Sequence, residues 1–310
     1  MTRFLLRRVA WMLVVLWFVG TVTFFGMLGA GNPARMIGGP HASARELAEI
    51  SRHYHLDRPR VEQYGLYLRA VARGDLGRSY RYHRPVGALL AERFPRTLLL
   101  GLMALAMELV VGVAVGTWAA ARRGTRGAGV VMAATFAGIS VPTFITGKLA
   151  LFVFAWQLGL FPLGGYGTSA LDHVRHAVLP AMVLATLGTA YQARIVRSEL
   201  IDVLGSEYIR TARAKGLSEL AVIVRHGLRN ALLPVITSVG LSFGSLFTGA
   251  IVTEAIFAWP GVGRLAYESI TGNDLPTVMG TVLFACLGIQ LGSLFADLTA
   301  AALDPRIRNR

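Results

Sequence analysis

The chain has 310 residues, of which 54% are hydrophobic and only 15% charged, and a formal net charge of +14. Soluble domains carry about 25% charged residues, so a soluble enzyme, a disordered tail and a secreted disulfide scaffold are all disfavoured. The single cysteine, Cys286, sits in an apolar block and can form no intramolecular disulfide. The arginines cluster between apolar blocks, which makes membrane topology, and not nucleic-acid binding, the reason for the charge.

A helix needs about 20 apolar residues to cross about 30 Å of hydrocarbon. Val9–Ala30 supplies 22 uncharged residues behind Arg3, Arg7 and Arg8. This resembles a signal peptide, but the apolar core exceeds the usual length of about 7–15 residues and no small-x-small site follows, so it reads as a retained first span. A second span is expected over 97–121, with Glu108 as its one charge. Residues 127–171 form a 45-residue block broken only by Lys148. That is too long for one span, and Gly159–Gly167 reads as a turn, so one long helix is expected over 128–158 with a kink at Pro142. A fourth span over 177–197 places Pro180 near its first turn, and spans over 231–254 and 275–298 complete six.

The fold class expected is an all-α membrane protein. Its first span and an outer subdomain occupy 1–95, the remaining spans occupy 96–304, and a tail follows over 305–310. An even count puts both termini on one side, which carries 16 basic residues, whereas the two short opposite loops hold only Arg175 and Arg264. The 31–95 segment is arginine-rich, but at 65 residues it exceeds the length of about 60 beyond which loops translocate regardless of charge. Both termini are expected in the cytoplasm.

The outer segment carries its own helical punctuation. Ser43–Glu46 is a capping box with Leu47, Ile50 and Tyr54 on one face, and a second amphipathic stretch starts at Pro59. Gly74–Gly77 is a turn, and Val86, Leu89 and Leu90 make a short apolar face before Phe94-Pro95. This subdomain is read either as a brace on the outer surface or as a docking surface for another protein. On the other side, Ser206 and Glu207 start a helix that ends at Gly216, and Ser218 caps a second helix to about Asn230. Tyr208 and Ala212 give its first helix a small apolar face beside Arg210 and Arg213. Physics alone leaves two readings for this hairpin: an amphipathic element on anionic headgroups, or a peg inserted into a partner.

Glu207-Tyr-Ile-Arg-Thr-Ala-Arg-Ala-Lys-Gly-Leu217, followed by His226-Gly-Leu-Arg-Asn-Ala-Leu-Leu-Pro234, resembles the cytoplasmic coupling loop of ABC importer permeases. The general importer pattern has Glu-Ala-Ala where this chain has Arg210-Thr-Ala212, and the interval from Gly216 to Leu233-Pro234 is longer than in sugar importers. Both departures fit the oligopeptide/dipeptide branch. Gly74–Tyr80, Phe94–Thr97, Thr253–Phe257, Trp259–Gly263 and Ala302–Arg308 resemble further segments of the first, B-type permease subunit of that branch, in the expected order. The resemblance covers nearly the full length and implies a type I ABC transmembrane domain in a bacterial inner membrane.

The resemblance further implies that Glu207, Tyr208, Arg210, Thr211, Ala212, Arg213, Ala214, Lys215, Gly216 and Leu217 couple to an ATP-binding subunit, with Gly216 as the elbow. A second homologous permease and an extracytoplasmic peptide-binding protein are the other protein partners implied. ATP and Mg would be bound by the partner ATPase. The chain itself has no Gly-x4-Gly-Lys-Ser/Thr loop, since Leu149 follows Lys148 and Pro142 stands at the first glycine's place. No cofactor, no metal site and no nucleic-acid partner are expected.

Intramembrane charge is costly and marks function by default. Glu108 either faces the translocation path, contacting a peptide amino group, or pairs with Lys148 on the third span; both are candidate pathway residues. Glu254 and Asp297 are expected at span ends, and Pro142, Pro234, Gly240, Gly244 and Gly249 in closely packed or flexible spans. His173 and His176 share a helical face without a third metal ligand. The alternatives are a secondary transporter driven by an ion gradient, which needs self-sufficient coupling sites, and a structural membrane scaffold.

Overall fold

The computed structural model describes residues 2–29, 33–39, 41–54, 56–232, 234–236, 238, 239 and 251–303. Among these residues the chain is nearly all helical; the one β-type pairing is an isolated bridge between Arg78 and Pro85. In chain order the helices are α1 Thr2–Gly29, α2 Pro33–Gly38, α3 Ala44–His53, α4 Arg60–Ala72, α5 Val86–Ala121 and α6 Arg126–Ser140. Helix α7, Thr143–Ala150, widens into a π-type stretch over Leu151–Gln157. After it come α8 Ala170–Leu204, α9 Glu207–Ala214 and α10, which starts at Glu219–Ala221, passes through a π-type Val222–Leu228 and ends at Arg229–Ala231. Ile251–Ile256, Val262–Thr271 and Leu275–Leu303 form α11, α12 and α13.

Leu6–Met27, Val86–Ala121 and Leu275–Leu294 are each long and apolar enough to cross a membrane. Arg126–Gly138 and Thr143–Gln157 reach that length only together, bent by 100°. The single kinked helix expected over 128–158 is therefore two helices. Proline crowds the residue before it out of the α region, and Val141 is accordingly extended at φ −87°, ψ 124°, with Pro142 beginning α7. Helix α8 contains the whole expected fourth span and runs well beyond both ends of it. It starts at Ala170, where Ser169 Oγ accepts from the Asp172 amide, so Pro180 lies inside the helix and not in its first turn. The expected fifth span lies largely outside the described residues, as do Gly240, Gly244, Gly249, the Asp297 side chain and the tail.

The chain divides into two compact units. The described residues of 1–97, 251 and 260–291 belong to one, and those of 98–239, 252–259 and 292–303 to the other. In the first, Val86, Leu89 and Leu90 of α5 are buried against Val262 and Leu265 of α12. The Phe94 and Phe284 rings meet edge to face at 5.2 Å. Helix α4 is clasped to α1 by aromatics, with Tyr64 and Tyr67 at 5.5 and 5.2 Å from the Phe24 ring. The expected capping box forms at α3: Ser43 N donates to Glu46 Oε2, and Glu46 N donates to Ser43 Oγ. That backbone donor holds the Glu46 carboxyl below its ordinary value.

The loop between α4 and α5 is anchored on a buried carboxylate. Asp274 is fully buried, and it accepts from Ser79 Oγ, from the Tyr80 amide at 3.0 Å and from Thr277 Oγ1 at 2.8 Å. An ionised carboxylate leaves water only where donors replace it. Ser79 Oγ in turn accepts from the Tyr82 amide, so one hydroxyl links turn and carboxylate. Nearby, Glu268 accepts from Tyr82 Oη at 2.7 Å and from Arg264 Nε at 2.8 Å. Burial pushes the Glu268 carboxyl up, but the Tyr82 hydrogen bond and the Arg264 and Arg93 charges outweigh it and leave the group lowered.

In the second unit α5 and α8 approach backbone to backbone. A Cβ on Gly116 would lie 2.6 Å from the Ala193 carbonyl oxygen, and one on Gly112 would lie 3.0 Å from that of Thr189. Small residues permit such an approach between apolar helices, where dispersion replaces the hydrophobic drive. Towards one end of the pair, Leu100 and Ala104 bury Ala177, Ala181 and Trp259.

Two outcomes follow. Replacing Asp274 by Ala strands three donors, and by order of magnitude costs about 3 kcal/mol; Asp274→Asn, which keeps one acceptor, costs less in thermal unfolding of the solubilised protein. Because Glu268 is lowered, its contacts act in full above the ordinary carboxylate range and are lost as pH falls below it. Hydrogen exchange across 264–274 should therefore quicken between pH 6 and about pH 3 relative to the intrinsic rate, and should not in Glu268→Gln.

Candidate functional site

The hairpin of α9 and α10 is built as a rigid projection. Ile209 and Ala212 are buried against Val222, with Val203 and Leu204 packed beside them. The inward face thus pairs Ala212 with Ile209, and Tyr208 is exposed, its hydroxyl accepting from Asn230 Nδ2 at 2.7 Å. Ser206 does not cap α9 through its side chain: its hydroxyl donates back to the Val203 carbonyl at 2.6 Å. Ser218 does cap, accepting from the Ala221 amide. Between the helices Gly216 adopts φ +77°, a left-handed turn that an L side chain resists, and its amide closes on the Arg213 carbonyl at 2.9 Å.

A charge pair crosses the elbow. Arg213 Nη2 and Nε donate to the two Glu219 oxygens at 2.7 and 3.1 Å. This hydrogen bonding raises the Arg213 guanidinium's affinity for its proton and lowers Glu219 below the carboxylate range. The pair is solvent-exposed and worth under about 1 kcal/mol. Glu207 pairs with Arg210 along α9 at 2.8 Å. The base of the hairpin packs Ile223 and Ala231 against Ala120 of α5 and Leu200 of α8.

Of the residues expected to couple, only Ala212 faces inward; Glu207, Tyr208, Arg210, Thr211, Arg213, Ala214, Lys215, Gly216 and Leu217 are exposed. Leu217, Leu220 and Val224 are exposed apolar side chains, at 40%, 73% and 53%, and the last two line a groove with Val113 and Trp118 of α5. Around the elbow, Arg210, Arg213 and Lys215 stand exposed beside Leu217 and Leu220.

Glu108 and Lys148 are not brought together. Glu108 Oε1 accepts from Gln192 Nε2 at 3.1 Å, while Lys148 is exposed on α7 and outside this cluster. Gln192 is fully buried; its amide also donates to Ser238 Oγ at 2.9 Å, and that hydroxyl reaches the Val235 carbonyl at 2.8 Å. The carboxyl group lies on Gly188, where a Cβ would stand 1.9 Å from its carbon. The sequence reading missed Gly188, Gln192 and Ser238, although a glutamine inside an apolar block is itself a signal.

Glu254, expected at an interface, is fully buried on α11. His173 and His176 lie on α8, and each turns Nδ1 to a carbonyl, of Tyr166 and Asp172 respectively, at 2.8 Å.

Residues 112–309 match the family described as binding-protein-dependent transport system inner membrane component, and residues 1–101 match the N-terminal family of such components. A Brucella abortus (strain 2308) protein called a putative peptide transport system permease protein is 40% identical over 312 residues, covering 99% of each chain. Glutathione transport system permease proteins of Salmonella choleraesuis (strain SC-B67) and Escherichia coli O6:H1 are 38% and 37% identical over 309 residues, again across 99% of each chain.

The elbow geometry gives a direct test. Gly216→Ala forces a Cβ into the left-handed region and costs about 1 kcal/mol. Protease cleavage in the hairpin should rise measurably in that variant with no change in the thermal midpoint of the remainder.

Proposed function

The chain belongs to the family of binding-protein-dependent transport system inner membrane components, and on that premise we propose that it is one permease subunit of an ATP-driven peptide importer. As a family member it is a non-catalytic, multi-pass component of an ABC transporter, and it works with ATPase and substrate-binding partners. The transport functions in the names of its relatives, for peptide and for glutathione, support a peptide cargo. In our reading the chain crosses the inner membrane six times with both termini in the cytoplasm. A second homologous permease completes the pathway, an extracytoplasmic binding protein delivers the peptide, and the partner ATPases bind ATP and Mg.

The observation that carries this reading is the braced hairpin. Its inner face is spent on Ile209, Ala212 and Val222, so Arg210, Lys215, Leu217 and Leu220 are left for a partner. Its base stands on α5 and α8 through Ala120 and Leu200. A displacement imposed on residues 207–217 when the ATPase pair closes therefore passes to two long helices. Glu108 and Lys148 are our candidate pathway residues, one half-buried in the helix pack and one exposed on α7.

The test is purification of the tagged chain from its native membrane in mild detergent, followed by mass spectrometry. A second permease and an ATPase should accompany the wild type. In Leu217→Asp/Leu220→Asp, and in Gly216→Pro, which cannot adopt φ +77°, the permease pair should persist while the ATPase falls at least tenfold. Purification alone, with uptake of some solute surviving nucleotide depletion, would point to a secondary transporter.

A further inference from the structure

Resting on the peptide-importer reading, we propose that the Glu108 carboxylate is the subsite for the terminal ammonium of a peptide cargo, and that Gly188, Gln192 and Ser238 are the positioning residues that build it. A carboxylate inside a membrane span is costly, and a purely structural one is normally paired with a cation. Among the described residues no ion pair involves Glu108. Its partner is the neutral amide of Gln192, which holds Oε1 at 3.1 Å without compensating the charge. Gln192 is fully buried and is itself fixed by Ser238 at 2.9 Å, so this donor is a rigid strut.

Gly188 supplies the floor. A Cβ at that position would lie 1.9 Å from both the Glu108 carboxyl carbon and Oε2, so any side chain there would take the carboxylate's place. The result is a carboxylate with one oxygen tied back, seated on bare backbone and still partly exposed. Such a seat suits a compact cation with several donors. It is a poor divalent-metal site, since calcium takes six to eight oxygens and magnesium near-ideal octahedral geometry, and it lacks the second free oxygen that bidentate guanidinium pairing uses.

An ammonium is also the chemically sensible feature to read. The α-amino group of a peptide has a pKa of about 7.7–8.0, so most molecules carry the charge at pH 7 whatever their side chains. One carboxylate therefore recognises the common part of many peptides. A single contact also leaves the cargo free to depart, as a conducting pathway requires.

The experiment uses the complete complex in sealed vesicles, with dialanine and N-acetyl-dialanine as probes and ATP hydrolysis followed in parallel. In Glu108→Gln, dialanine uptake should fall by about tenfold or more, the size expected for one hydrogen bond to a charged group. Gly188→Ala should produce the same loss by displacing the carboxylate, and Glu108→Asp should recover part of it. As a measurement that needs no variant, a hydrophobic carbodiimide should join dialanine, and not its acetylated form, to Glu108 in an amide found by mass spectrometry. Unchanged dialanine uptake in Glu108→Gln, or no adduct at Glu108 in a wild-type complex that imports dialanine, would overturn the subsite while leaving the importer standing. A wild-type complex that imports neither probe nor any other peptide would overturn the importer reading itself, and the subsite with it.

Discussion

The close approach of α5 and α8 is the constraint on which the rest of the second unit depends. Gly112 and Gly116 on one helix meet the Thr189 and Ala193 carbonyls on the other, so the two backbones run in contact over about one turn. The paired positions rise together, Gly112 with Thr189 and Gly116 with Ala193, so the helices run parallel. One turn before Gly112, the same register sets Glu108 on Gly188 within reach of Gln192. One turn beyond Gly116 it brings Ala120 to Leu200, the floor on which the hairpin's Ile223 and Ala231 rest. A single helix–helix contact thus fixes both the intramembrane carboxylate and the base of the projecting elbow. Dispersion between small residues suffices because apolar helices gain nothing further from hydrophobic burial inside a bilayer.

Punctuation was the most legible layer of the sequence. The Ser43–Glu46 box, the Ser218 cap, the Gly74–Gly77 turn and the Gly216 elbow all form as their residues dictate, because each is settled within four or five positions. Val86, Leu89 and Leu90 were legible as an apolar face for the same reason, although only the structure shows their partners, Val262 and Leu265. The misreadings concern competition between local and distant groups. Ser206 has the composition of a cap, yet the end of α8 offers its hydroxyl the Val203 carbonyl. Pro180 has the composition of a first turn, yet Ser169 starts the helix earlier.

Polar residues in apolar segments were the least legible part of the candidate site, since their partners lie far off in sequence. Glu108 and Lys148 are the obvious opposite charges, and pairing them follows from charge alone. Geometry decides otherwise: the turn over Glu108 faces α8, so the carboxylate meets Gln192, 84 positions away, while Lys148 lies on a helix whose start is redirected at Pro142. Asp274 makes the same point in the first unit. Its donors at Ser79 and Tyr80 lie almost 200 positions distant, and nothing in the local sequence distinguishes it from an exposed turn aspartate.

The two carboxylates also show how burial separates structure from function. Asp274 has no exposure and three donors, so its charge is spent entirely on holding backbone in place. Among the described residues Glu108 has a single neutral donor, and it remains partly exposed, so its charge is not compensated there. A low dielectric strengthens both arrangements, but with opposite consequences. In the first it locks a loop against a helix start, since any movement strands donors as well as the charge. In the second, on our proposal, it leaves an attraction for a cation of the cargo. The incomplete shell that the described residues leave around Glu108, more than its location in a span, is therefore the ground on which we propose it as a contact for the cargo.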